Sequence, residues 1–153
     1  MFPWKTGVCL GLFGIDEWVK QHIEDTMEEG ESHSYCKDKV VIRKVYNRGF
    51  IFSSLEDKNT LVKGVSIAAG GLVLLMDIWA EKYGTLQRKL GMTLLSAGAA
   101  SNIFDRLVRG KVIDYIAVRT KSARLNKITA NLGDIYIALG AILIWMNEKI
   151  GRR

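Results

Sequence analysis

The chain has very little of what would punctuate or staple a fold. One proline, Pro3, stands among 153 residues, so no long helix is interrupted by that route. Two cysteines, Cys9 and Cys36, give no disulfide framework, and two histidines, His22 and His33, have no His/Cys cluster around them. Zinc chemistry and the cysteine-plus-histidine routes to hydrolysis are therefore not what the sequence offers. No uncharged run reaches the roughly 18 to 20 residues that span a bilayer unaided. The apolar core at the N-terminus is followed at once by Asp16, Glu17 and Lys20, with no small-residue cleavage site. It is predicted to be a retained helix and not a cleaved leader.

What is present is segregated. Charged residues make up 25% of the chain and the mean hydropathy is only +0.08, yet four apolar segments stand out. They are Gly7 to Ile15, Gly64 to Met76, Leu90 to Phe104 and Ile135 to Asn147. Each alone reads as a buried helix. Four together, with Trp and Lys near their ends, read as short spans extended by flanking side chains that snorkel or line a wet cavity. The third and fourth are rich in Gly, Ala and Ser, which lets helix backbones approach closely in lipid. The chain fits a single domain over 1–153. Its predicted order is helix 1 at about 4–28, a β-like segment at about 39–56, helix 2 at about 60–80, helix 3 at about 87–105, a basic loop at 106–130 and helix 4 at about 131–149. Within the β-like segment, VVIRKVY and FIF flank an Asn-Arg-Gly turn signal and read as a small hairpin or sheet.

Lys and Arg outnumber Asp and Glu by 22 to 16, and seven of them fall in 105–130. Nucleic acid is not indicated, because the basic residues lack interleaved aromatics. Anionic lipid, or nothing beyond solubility, would account for such an excess as well. Four spans put both termini and the 77–89 connection on one side, with the β-like segment and the basic loop on the other. The positive-inside rule taken alone would argue for the reverse orientation.

Ionisable groups at membrane level are costly, so each is a functional candidate. Asp16 and Lys20 are spaced to share a face of the first helix and to pair. Asn102, Asp105 and Arg106 end the third segment, where a solvated helix exit is the plainer reading. Asp114 sits in an apolar frame, VIDYI, which suits a strand with one inward carboxylate or a surface loop. Asn131 and Asp134 open the fourth segment, where helix capping is the plainer reading. Two aspartates in a partly dry site would do more than cap. Like charges cannot both ionise there, so one carboxylate can act as general base on water while the other, protonated, polarises a carbonyl.

The motifs in combination are more specific than any one alone. SAGAASNIFDRLVRGKVIDYI followed by ANLGDIYIALGAIL resembles lipoprotein signal peptidase, or signal peptidase II. That family carries Asn-x-x-Asp-Arg, then Val-Val-Asp-Phe after a basic loop with Gly, then Phe-Asn-x-Ala-Asp. NRGFIF at 47–52 is similar to its Asn-x-Gly-Ala-Ala-Phe, and DEWVK at 16–20 to its Asp-Gln-x-x-Lys. The resemblance implies a mainly α membrane fold: four transmembrane helices with a small extracytoplasmic β-cradle between helices 1 and 2. It implies an aspartic endopeptidase of the bacterial cytoplasmic membrane, multi-pass, with its site near the extracytoplasmic face. Its substrates are prolipoproteins, cut before the diacylglyceryl-modified cysteine, and its partners are that signal peptide and membrane lipid. No cofactor or metal is called for, and the chain is expected to be a monomer.

The catalytic pair falls on Asp114 and Asp134. Asn131, Asn102, Asp105, Arg106, Asn47, Asp16 and Lys20 fall on substrate-binding or site-supporting positions. The sequence departs from the pattern at Ala130 (Phe in the family), Gly133 (Ala), Ser101 (Gly) and Phe50 and Ile51 (Ala-Ala). Three alternatives stay open at this point. One is a non-catalytic relative that binds lipopeptide or lipid. Another is a form of the same fold shifted toward solubility, and the last is a peripheral bundle using its +6 charge on anionic membranes.

Overall fold

The computed structural model describes residues 3–49 and 59–150. Its elements run α1 (Pro3–Thr26), β1 (Ser32–Tyr35), β2 (Val40–Asn47), α2 (Asn59–Tyr83), α3 (Leu86–Phe104), a π-helical turn (Asp105–Arg109), β3 (Val112–Val118), a 3-10 turn (Leu125–Lys127) and α4 (Leu132–Ile150). The fold is mainly helical, with one small antiparallel sheet in the order β1-β2-β3.

Helix α3 is the hub: α1, α2 and α4 all pack on it. Its contact with α4 runs through glycines. A β-carbon at Gly98 would lie 2.1 Å from the Gly133 carbonyl oxygen, and one at Gly140 would lie 2.5 Å from the Gly91 carbonyl oxygen. Removing side chains at these positions lets the two backbones touch, the device expected where lipid supplies no hydrophobic drive between helices. The consequence for the site is direct. Asn102, one turn above Gly98, is brought against the first turn of α4.

The small sheet that the sequence allowed is present around VVIRKVY. VVIRKVY forms β2, but its hairpin partner is the polar strand β1 on its N-terminal side, pairing Ser32 with Arg43 and Tyr35 with Val40. FIF lies outside the described residues, as do Phe50 and Ile51. The other neighbour of β2 is β3, which lies inside the stretch expected as a basic loop at 106–130. There Val45 pairs with Asp114 and Asn47 with Val112, after an irregularity between Ile42 and Val45. The apolar frame around Asp114 is the reason this piece is a strand: Ile113 is fully buried and packs with Ile23 and Tyr115 in a small core. Ala130 extends the sheet by one bridge to Ile116.

Among the described residues, one helix is long and apolar enough to cross a membrane on length and composition, Thr60–Tyr83, with a mean hydropathy of 1.8 over its most apolar stretch. Its Leu61, Leu72, Leu75, Ile78 and Trp79 are exposed. An apolar face of that extent is atypical of a water-facing helix.

Candidate active site

The site lies where α3, α4, β2 and β3 meet. Asp114 comes from the middle of β3 and is 4% exposed. Asp134 comes from the first turn of α4 and is half-buried. Two asparagine amides join them. The Asn131 side chain donates to Asp114 Oδ1 at 2.8 Å and to Asn102 Oδ1 at 3.1 Å. The Asn102 side chain donates to Asp134 Oδ1 at 2.8 Å. Asn47, from the end of β2, donates to Asp114 Oδ2 at 3.2 Å. Each of the three amide nitrogens thus donates to a carboxylate, and that of Asn131 donates to the next amide oxygen as well.

The capping reading of Asn131 and Asp134 is present in full. Asn131 Oδ1 accepts from the Asp134 backbone N–H at 2.9 Å, and the Asp134 carboxylate accepts from the Asn131 N–H at 3.2 Å. This reciprocal pair is a capping box. Capping and site building are one arrangement here, because the Asn131 amide nitrogen remains free to reach Asp114.

Asp114 is chemically distinctive. Burial first, and the Asp134 charge second, push its carboxyl up from 3.8 to about 7, against the pull of the hydrogen bonds from Asn47 and Asn131. Near neutral pH it therefore exists in both protonation states.

The π-helical turn sets two arginines to work on different partners. Arg106 donates to the Asn102 carbonyl at 3.2 Å and to the Gly49 carbonyl at 3.2 Å, beside the aspartate pair. Arg109 pairs with Asp105 and, at 2.5 Å, with Glu17 of α1. Insertions of this type recur at functional sites because they re-aim side chains that a regular helix would stack.

Beneath the aspartate pair lies a buried ionic cluster. Lys20 is fully buried and holds Asp16 at 3.0 Å and Asp105 at 2.9 Å. Its ammonium also donates to Ser101 Oγ at 2.6 Å and to Asn102 Oδ1 at 3.4 Å. The last contact fixes the Asn102 amide, so that its oxygen faces the cation and its nitrogen faces Asp134. The Tyr115 phenol donates to Asp16 Oδ1 at 2.9 Å and accepts from the Leu132 N–H at 3.1 Å. Burial beside Asp16 pushes that phenol up, so it stays a donor.

All nine residues singled out from the sequence fall in this one region, either on the aspartate pair or on the cluster that supports it. Glu17, Arg109 and Tyr115 were not singled out. The spacing of Asp105 and Arg109 carried a usable signal for Arg109, whereas nothing local marked Tyr115. Among the departures, the Ser101 hydroxyl sits within the ionic cluster, also 2.6 Å from Asp16 and Glu17. A β-carbon at Gly133 would meet Asp16 and Asn131 oxygens, both at 3.0 Å. Among the described residues, no three His, Cys, Asp or Glu side chains are grouped as a metal ion would need.

Comparison with known proteins agrees with this architecture. Two solved structures, both described as bacterial membrane enzymes, superpose with TM-scores of 0.81 and 0.82 at 23% identity. They cover 95% of this chain and 87% and 92% of their own, which establishes the fold. The family profile described as signal peptidase (SPase) II matches residues 8–148, and the chain belongs to that family. Among its relatives, a lipoprotein signal peptidase of Mesorhizobium japonicum is 32% identical over 95% of this chain and 85% of its own length. Another from Streptococcus pneumoniae is 29% identical over 90% of this chain and 86% of its own.

Proposed function

We propose that this chain is a membrane-embedded aspartic endopeptidase that removes signal peptides from bacterial prolipoproteins, cutting before the diacylglyceryl-modified cysteine. The observation that carries the reading is the convergence of Asp114 and Asp134 on the Asn102–Asn131 amide pair.

In this mechanism Asp134, the more accessible of the two, takes a proton from a water molecule as that water attacks the scissile carbonyl carbon. Asp114, protonated, donates a hydrogen bond to the carbonyl oxygen as it gains negative charge. Collapse of the tetrahedral intermediate breaks the C–N bond, and a carboxyl proton passes to the leaving nitrogen. The position of Asp114 near 7 suits this exchange of roles at physiological pH. Asn131 and Asn102 orient the two carboxylates. Arg106, anchored between Asn102 and Gly49, supplies positive charge beside them for the substrate backbone or its lipid head group. Asp16, Lys20 and Asp105 hold the first and third helices together under the site.

The same reading makes all four helices membrane spans, with both chain ends on the cytoplasmic side and the sheet, β3 and the basic stretch on the outer side. The exposed apolar face of α2 supports it. So does the placement of the sheet and the aspartate pair at the same end of α1, α3 and α4.

The test is cleavage of a diacylated prolipoprotein peptide by the purified protein in lipid, alongside Asp114→Asn and Asp134→Asn. Cutting before the lipidated cysteine that disappears in both variants is expected. Binding without cutting by all three would leave the fold with no peptidase chemistry.

A further inference from the structure

Helices α1 and α2 both pack on α3 and barely touch each other. They are tied at the end of the bundle remote from the aspartate pair, where the buried Lys5 ammonium meets Asp77 at 2.9 Å and Glu81 at 3.0 Å. Between that tie and the site, a cavity of about 460 Å³ lies over a strip of small residues on α3. Its lining runs from Thr93 of this helix to Leu107 of the π-helical turn that continues it, which at 1.5 Å per residue is about 21 Å. A volume of about 460 Å³ open to the centres of water-sized molecules, spread over that length, is a channel about 8 Å wide between its walls once a water radius of about 1.4 Å is added on each side.

That width decides what can enter. An α-helix with its side chains needs about 10 Å. An unbranched hydrocarbon chain, judged by the contact distance between carbons, needs about 4 to 5 Å. The length suits such a chain too, since a zigzag of C–C bonds advances about 1.25 Å per carbon, or roughly 17 carbons in all. The upper end of the cavity is lined by Ile103 and Leu107. These are the immediate neighbours of Asn102 and Arg106, which contact the aspartate pair and its surroundings. The lower end is closed by the charged Lys5 tie.

We propose that this cavity seats one acyl chain of the diacylglyceryl group carried by the substrate's cysteine, an inference that rests on the function given above. A chain attached to the residue at the scissile bond enters beside Asn102 and runs down α3 between α1 and α2. Acyl length then contributes to substrate recognition through burial alone, away from the reacting atoms. Such binding is equal in ground and transition states, so it acts on KM and not on kcat.

The test fills the cavity. Ser96→Leu and Ala99→Leu both add bulk to its lining, and the Ser96 hydroxyl has no hydrogen-bond partner among the described residues, so that exchange removes none. Full-length protein in nanodiscs is given the same lipopeptide with two palmitoyl or two butyryl chains. Each variant is expected to raise KM for the palmitoyl substrate about ten-fold, the worth of roughly two methylenes kept out of the cavity. Neither kcat nor the butyryl KM changes. An equal rise for both substrates, or no rise for either, overturns the proposal.

A second measurement does not depend on turnover. A lipopeptide with a photoreactive palmitoyl chain should label residues 93–107, and unlabelled lipopeptide should compete. A phospholipid bearing the same chain should label that stretch only weakly. Equal labelling by the phospholipid assigns the cavity to bilayer lipid and overturns the proposal, as does no labelling by the lipopeptide. If the wild type cuts neither substrate, the peptidase reading fails by itself while the labelling still decides the cavity.

Discussion

Asp114 allows the electrostatics of the site to be tested without any substrate. Its carboxyl rises from 3.8 to about 7, chiefly through burial and next through the Asp134 charge. A group whose folded value lies above its unfolded one holds its proton more tightly in the folded state. Between those two values stability therefore falls as pH rises, and above about 7 the full cost is present. At about 1.36 kcal/mol per decade, the shift costs the fold about 4 kcal/mol at pH 8, where Asp114 is ionised, and about 1.5 kcal/mol at pH 5, where it is held protonated while the unfolded chain ionises. Asp114→Asn removes this dependence. It also has one acceptor oxygen where Asp114 serves both Asn47 and Asn131, a loss of about 1–3 kcal/mol that does not vary with pH. Unfolding free energies of wild type and variant, measured in detergent at pH 5 and pH 8, should diverge by about 3 kcal/mol in favour of the variant at the higher pH. A difference that stays the same at both pH values would refute the placement of Asp114 in a dry site beside a second charge. In the active protein the same titration predicts that kcat/KM falls as pH rises through about 7.

Asn102→Ala removes the 2.8 Å bond to Asp134 and the acceptor for Asn131. It should lower kcat roughly a hundred-fold with little change in KM, as steady-state cleavage would show. Lys20→Met leaves Asp16 and Asp105 buried without their shared cation. It should destabilise the fold by about 3–5 kcal/mol and depress the yield of folded protein. Gly98→Ala puts a β-carbon 2.1 Å from the Gly133 carbonyl oxygen. It should cost about 3 kcal/mol or more and, by parting α3 from α4, should lower activity in whatever protein still folds, which cleavage per folded molecule would read.

The parts of this architecture that the sequence displayed are those whose signals are local. Helices α2, α3 and α4 announce themselves as apolar runs, and the Asn131–Asp134 cap announces the start of α4 by residue type alone. Asp114 was visible for a different reason: a carboxylate within VIDYI has no cheap place to go, so it had to face either water or a partner. The strand β1 was invisible, because SHSY is exposed along its whole length and carries no alternation to read. The strand β3 was obscured by its surroundings, since seven cations nearby made the stretch look like a solvated loop.

The ionic cluster shows the remaining limit. Asp16 and Lys20 predict one intrahelical pair, which is present. Yet the same ammonium also holds Ser101 from α3 and Asp105 from the π-helical turn that follows it, and Tyr115 reaches Asp16 from β3. Those partners lie 81 to 99 residues from their α1 contacts in sequence. They meet because α1 packs directly on α3 and because β3 turns back through Gly110, whose left-handed backbone at φ 73° ends the π-helical turn. A departure such as Ser101 therefore has no meaning in the linear sequence. Its hydroxyl joins the network only because α1 presents Asp16, Glu17 and Lys20 to the one face of α3 on which Ser101 and Asn102 stand, and that same face carries the bond to Asp134.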